Sequence, residues 1–99
     1  MITYLKDEDF NLLIKDKKVI VDFYADWCMP CQMLGEVFEE IVDENKDIEI
    51  IKVDVDSHPE LARSHGVMSI PLVLLYNNGK IEKKKIGLME KDEILEFIK

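Results

Sequence analysis

The stretch VDFYADWCMPCQML, Val21 to Leu34, decides how the chain is read. It continues a run, Val19 to Ala25, that is apolar or aromatic at every position except Asp22. A segment apolar on both alternating faces fits a strand in the middle of a parallel sheet, covered above and below. From Cys31 the period changes. Leu34, Val37, Phe38, Ile41 and Val42 recur at helical spacing, with Glu36, Glu39, Glu40, Asp43 and Glu44 off that stripe. The strand thus feeds a long amphipathic helix, and the only two cysteines, Cys28 and Cys31, fall at the junction.

The free N–H groups and positive dipole end of a helix stabilise a thiolate at its start. Lowering a thiol pKa from about 8.5 toward neutrality raises the reactive fraction at physiological pH. Three-residue spacing on a helix brings the second sulfur beside the first. Cys28, at the exposed end, is therefore expected to attack, and Cys31, one turn inward, to resolve. Pro30 in the first turn loses no hydrogen bond and pre-sets the helical φ. No histidine or lysine lies between the cysteines to stabilise the thiolate further, which favours a reductant over a strong oxidant. Trp27 is expected at the rim of the site and Met29 exposed beside it, a soft apolar contact, while the other later methionines fill core gaps.

A zinc half-site is the bland alternative for the cysteine pair. Zinc needs two further ligands, and only His58 and His65 are available, at a spacing longer than that of ordinary fingers. Each histidine is expected instead to cap or decorate a short helix, and no metal is expected.

Asp22 is the anomaly in the buried strand. An ionised carboxylate there costs several kcal/mol, and desolvation raises its pKa above the usual value of about 3.9. A proton acceptor beneath the cysteine pair, taking the Cys31 proton when that thiol attacks, accounts for its presence; the alternative is a structurally satisfied polar residue. Lys52, in a neighbouring parallel strand, is placed to hydrogen-bond Asp22 through its ammonium group.

Outward from this centre, Ile2 to Leu5 reads as a strand, and Asp7 as the cap of a helix carrying Phe10, Leu13 and Ile14. Ile48 to Val55 is β-rich, and Pro59 to Ser64 a short helix ended near Gly66. Leu72 to Tyr76 and Ile81 to Ile86, joined through Asn77-Asn78-Gly79, form a hairpin. A last helix, about Glu90 to Ile98, buries Ile94, Leu95 and Ile98. The order β-α-β-α-β-α-β-β-α predicts an α/β fold. Its central mixed sheet has three parallel strands and an antiparallel C-terminal hairpin, with helices around it.

With 99 residues the chain has room for one domain, 1–99, and not two. No stretch approaches the roughly 20 apolar residues of a membrane span, and MITYLKDEDF lacks the pattern of a secretory signal. A cytoplasmic location follows as the expectation, where a lone cysteine pair is catalytic or metal-binding more often than a structural staple. A formal charge of -8 argues against a nucleic-acid partner. The one basic run, Lys83 to Lys85, reads as a solvated edge strand. The four scattered glycines make no phosphate-cradling loop.

Taken together, VDFYADWCMPC, IKVDVDSHPELARSHGV and SIPLVLLYNNGK resemble the thioredoxin family over nearly the whole chain. The resemblance implies a thioredoxin fold with helices on both sheet faces. It implies Cys28 as nucleophile, Cys31 as resolving thiol, Asp22 as buried acid/base and Lys52 as its partner. Pro71 matches the family's cis-proline facing the cysteines, where Ile70 presents backbone groups to a substrate strand. Trp27 and Gly87 match rim positions, completing a substrate surface with Met29 and Pro30. Met29 departs from the family's glycine and makes the rim bulkier. Glu36 stands where many members have a kinking proline, and Leu72 where a threonine is common. The activity implied is that of a monomeric protein disulfide reductase, with no cofactor beyond the Cys28–Cys31 disulfide. It is recycled by a thioredoxin-reductase-type enzyme or another dithiol. The rivals are a glutaredoxin-like reductase using glutathione and a non-catalytic interaction module built on the same fold.

Overall fold

The computed structural model describes residues 1–99. β1 (Ile2–Tyr4), β3 (Ile50–Asp54) and β2 (Lys18–Tyr24) lie parallel, and β4 (Leu72–Asn77) and β5 (Lys80–Ile86) follow antiparallel, in the order β1-β3-β2-β4-β5. Between them run α1 (Phe10–Leu13), α2 (Met29–Glu44) and α3 (Pro59–Ser64), with α4 (Lys91–Ile98) at the end. The mixed sheet is the one expected, with β2 central and buried at every position from Val19 to Phe23.

Period-two alternation divides the core in two. Val19, Val21 and Phe23 pack with Phe10, Ile14 and Ala62, so α1 and α3 cover one face. Ile20, Ile50, Val73 and Leu75 pack with Leu34, Phe38, Ile41 and Ile94, so α2 and α4 cover the other. Asp22 follows Ile20 at period two and Lys52 follows Ile50, which puts both on the α2 face.

Several local expectations are corrected. Asp9, not Asp7, caps α1: its Oδ1 accepts the Asn11 N–H at 3.0 Å. β3 is shorter than the β-rich run suggests, and Leu95 and Ile98 of α4 are only half-buried beside fully buried Ile94. The methionines are mostly outside: Met89 is buried, whereas Met29, Met33 and Met68 are exposed, because their positions fall off the helical stripe or in the loop before Pro71.

His58 stands at the N-cap of α3 and His65 at its C-cap, and the ring of His65 also reaches the core. Its Nδ1–H donates to the Leu61 carbonyl at 2.9 Å, its Nε2 accepts from the Tyr76 hydroxyl at 2.7 Å, and its ring packs against Phe10 and Phe23. His58 donates from Nε2 to the Leu5 carbonyl at 2.9 Å, tying the β1 exit to the start of α3. In the edge strand β5, Lys83 also departs from a purely solvated role. Its ammonium donates to the carbonyls of Phe97 and Lys99, both at 3.0 Å, satisfying the end of α4.

Candidate active site

The end of β2 delivers the chain to the start of α2 through Ala25, Asp26 and Trp27, and Cys28 becomes the N-cap of the helix. Its Sγ accepts the Cys31 N–H at 3.3 Å, so the sulfur itself takes one of the otherwise unpaired first-turn donors. Pro30 occupies the first turn, where its missing N–H costs nothing. Cys28 and Cys31 are joined as a disulfide with their Cα atoms 5.2 Å apart. The structure therefore represents the oxidised protein. Cys28 is 6% exposed and Cys31 1%; the expected order holds, but Cys28 is far less open than an exposed helix end suggests. The cover comes from a small cluster in which Ala25, Ile70, Tyr24 and Val55 pack on the two sulfurs.

The loop before β4 faces the pair. The Ile70–Pro71 peptide is cis, and the Ile70 carbonyl oxygen lies 3.9 Å from Cys28 Sγ. Pro71 is buried and its carbonyl accepts the Gly87 N–H at 2.9 Å; Gly87, at φ 100°, takes a conformation that a Cβ would strain. Trp27 is 72% exposed, yet its indole Nε1–H donates to Asp56 Oδ2 at 2.8 Å. Met29 is also exposed. Of the residues named from sequence, Ile70 packs on the cysteines, Pro71 and Gly87 bond each other next to it, and Trp27 and Met29 flank Cys28 in the chain; the Asp56 partner of Trp27 was not foreseen.

Asp22 is wholly buried, and neither carboxylate oxygen has a hydrogen-bond donor. Its one polar neighbour is Lys52, whose Nζ lies 3.5 Å from Oδ2, the spacing of an ion pair and not the hydrogen bond expected from sequence. Desolvation pushes the Asp22 pKa up to about 6, with the Lys52 charge pulling the other way. A cleft of about 240 Å³ opens between α2 and the β1–β3 edge, with Cys31, Gly35, Glu39, Tyr4, Tyr24 and Lys52 in its walls. Cys31 and the Lys52 end of the ion pair thus share one solvent-connected space. His58 and His65 are engaged elsewhere, and no group of three or more His, Cys, Asp or Glu side chains is placed to hold a metal ion.

A dithiol that closes to a disulfide at a helix start, with a cis-proline loop against it, defines a thiol–disulfide oxidoreductase of the α/β class. The Thioredoxin family model matches residues 1–99. A curated thioredoxin of Mycoplasmoides gallisepticum is 45% identical over 94 residues, covering 95% of this chain and 94% of that protein. Among solved structures, a single-site mutant of a thioredoxin from Halobacterium salinarum superposes with a TM-score of 0.88 at 33% identity, over 98% of this chain and 87% of that one. A chain from a study of thiol resolution in a yeast mitochondrial 1-Cys peroxiredoxin via glutathione/thioredoxin systems gives 0.87 at 31% identity, over 98% and 92%. The chain belongs to the thioredoxin family, and its activity is thiol–disulfide exchange.

Proposed function

We propose that residues 1–99 act as one domain that reduces protein disulfides, with Cys28 as nucleophile and Cys31 as resolving thiol. The observation that carries this is Cys28 Sγ at the N-cap of α2, accepting the Cys31 N–H while facing the Ile70–Pro71 loop. That N–H and the helix dipole favour the thiolate at Cys28. The thiolate attacks one substrate sulfur, the substrate S–S bond breaks, and one substrate thiolate leaves. Cys31 then gives up its proton and attacks Cys28 Sγ, expelling the second substrate thiolate and closing the Cys28–Cys31 bond. The substrate gains two electrons and the protein loses two.

Asp22 takes the Cys31 proton. It lies on the sheet face covered by α2, the helix that carries Cys31, and a carboxylate titrating at about 6 is ionised at pH 7 yet basic enough to accept a proton. Lys52 keeps that carboxylate charged. Trp27, Met29, Pro30, Ile70, Pro71 and Gly87 form the surface on which a substrate strand docks. The electron carrier is the cysteine pair itself, and a separate thioredoxin-reductase-type enzyme restores it. The peroxiredoxin named with the yeast relative exemplifies the class of disulfide-forming partner that fits. A monomer in the reducing cytoplasm suits a single exchangeable cysteine pair, and no helix is long and apolar enough to cross a membrane.

Replacing Cys31 with Ser tests the assignment. Disulfide-linked adducts with a protein substrate are expected to accumulate on Cys28; adducts that form on Cys31 in a Cys28→Ser protein and not on Cys28 would reverse the roles.

A further inference from the structure

The Asp22–Lys52 pair leaves one question open at its outer end. Lys52 is a long side chain in the wall of an open cleft, and Asp22 at 3.5 Å is the one ion-pair partner of its ammonium. The cleft wall also carries acidic groups, Glu36 and Glu39 on α2 and Asp26 on the loop after β2, toward which a released ammonium would be attracted. On the sheet side it meets two aromatic faces. Its Nζ is 4.4 Å from the centroid of the Tyr24 ring and 5.6 Å from that of Tyr4. The two rings pack edge to face, 6.4 Å apart at 83°, so each fixes the other. Opposite them stands Gly35, where a Cβ would come within 3.1 Å of the ammonium. The register explains the convergence: Tyr4 pairs with Lys52 and Lys52 with Asp22, and Tyr24 lies two residues beyond Asp22 on the same face.

We infer that the Tyr24 ring, braced by Tyr4, is the seat that holds the Lys52 ammonium inward against Asp22, which makes Tyr24 a positioning residue for proton transfer at the cysteine pair. A cation within about 6 Å of an aromatic face is attracted by the ring quadrupole, more strongly where water is displaced. The Tyr24 phenol stays neutral throughout the working range: burial, then the charges of Asp54 and Asp26, push its pKa up to about 12. The seat therefore does not titrate with the site it serves. Without it the ammonium swings toward Glu36, Glu39 and solvent, and Asp22 loses the one charge that opposes its desolvation. The inference rests on Asp22 accepting the Cys31 proton.

The test follows release of thionitrobenzoate from its mixed disulfide with Cys28 between pH 5 and 9, which reports Cys31 attack. Tyr24→Leu is expected to move the midpoint of the rate profile upward by about one pH unit, close to a tenfold loss below the midpoint. Tyr24→Phe, which keeps the ring face, is expected to restore the original profile. In a Lys52→Met background the Tyr24→Leu change should shift nothing further. A Tyr24→Leu profile that tracks the original, or that shifts as much without Lys52, overturns the seat while leaving the Asp22 role standing. An Asp22→Asn protein with an unaltered profile overturns the Asp22 role and the seat with it. One measurement needs no substitution: in the folded protein the Lys52 ε-methylene protons should resonate upfield under the Tyr24 ring, and an ordinary lysine shift contradicts the seat.

Discussion

Lys52 Nζ stands 3.5 Å from Asp22 Oδ2 across two parallel strands in direct register, both side chains buried, with neither carboxylate oxygen receiving a hydrogen bond. Such a pair is poor at stabilising a fold, because the attraction is set against the desolvation of two charges. A carboxylate held there without a hydrogen-bond donor is consistent with the proton-accepting role proposed for it.

Asp22 should therefore weaken the fold at neutral pH. Its folded pKa, about 6, lies above the ordinary 3.8, so between those values the folded state holds more proton than the unfolded one. Stability falls as pH rises through that window and stays reduced above it, by about 3 kcal/mol at most. Asp22→Ala is expected to raise stability at pH 7 by about 1–3 kcal/mol and to lose that gain below about pH 4. Urea unfolding at pH 3.5 and 7 measures both; a gain independent of pH would contradict the account.

Lys52→Met removes the charge that holds Asp22 down, so the carboxyl should titrate above 6. The pH-dependent fall in stability then extends to higher pH, and Cys31 attack at pH 7 slows. Carboxyl NMR titration of Asp22 in the two proteins reads the shift directly, and coincident curves would remove Lys52 from the site.

Gly35 sits inside α2 with the Lys52 ammonium 3.1 Å from where a Cβ would stand. Alanine is the better helix former by up to about 1 kcal/mol, and the contact is with the tip of a flexible side chain. Gly35→Ala should accordingly gain about 0.5 kcal/mol. A loss above about 1 kcal/mol in denaturant unfolding would show that the seated ammonium cannot give by the few tenths of an ångström the added methyl requires.

Asp56 restrains Trp27 through a 2.8 Å hydrogen bond at the exposed rim. Asp56→Ala should change stability by less than about 1 kcal/mol while freeing the indole. Lower fluorescence anisotropy and a raised KM for a protein disulfide, with kcat less affected, are the expected readouts. Unaltered anisotropy would show that the hydrogen bond does not hold the ring.

Much of this was legible in the sequence, for physical reasons that differ by residue. The unbroken apolar run around Asp22 and the helical stripe from Leu34 to Val42 each encode one element through one period, and two such elements in succession place Cys28 at their junction. Asp22 was legible because it alone interrupts the apolar run from Val19 to Ala25, and Lys52 because it follows Ile50 and Ile51 in a neighbouring parallel strand. Tyr4 and Tyr24 were not, since an aromatic residue in a strand looks like ordinary core and only the β1–β3–β2 register reveals that both rings meet one ammonium. The parity of Tyr24 with Asp22 was the available signal. Asp9 displaced Asp7 as the α1 cap because either acid suits the local pattern and the entry geometry chooses between them. His65 depends on Tyr76, brought to it by the sheet and not by sequence spacing.

In the proposed function the Cys28–Cys31 pair carries two electrons as a reductant. A redox titration of the purified protein in dithiol buffers, followed by the fluorescence of Trp27, the single tryptophan, tests it most directly. One reversible two-electron transition is expected at a midpoint more reducing than the glutathione pool, below about -220 mV. A midpoint well above that value would make the protein an oxidant or isomerase, and the absence of any transition would contradict the redox role outright.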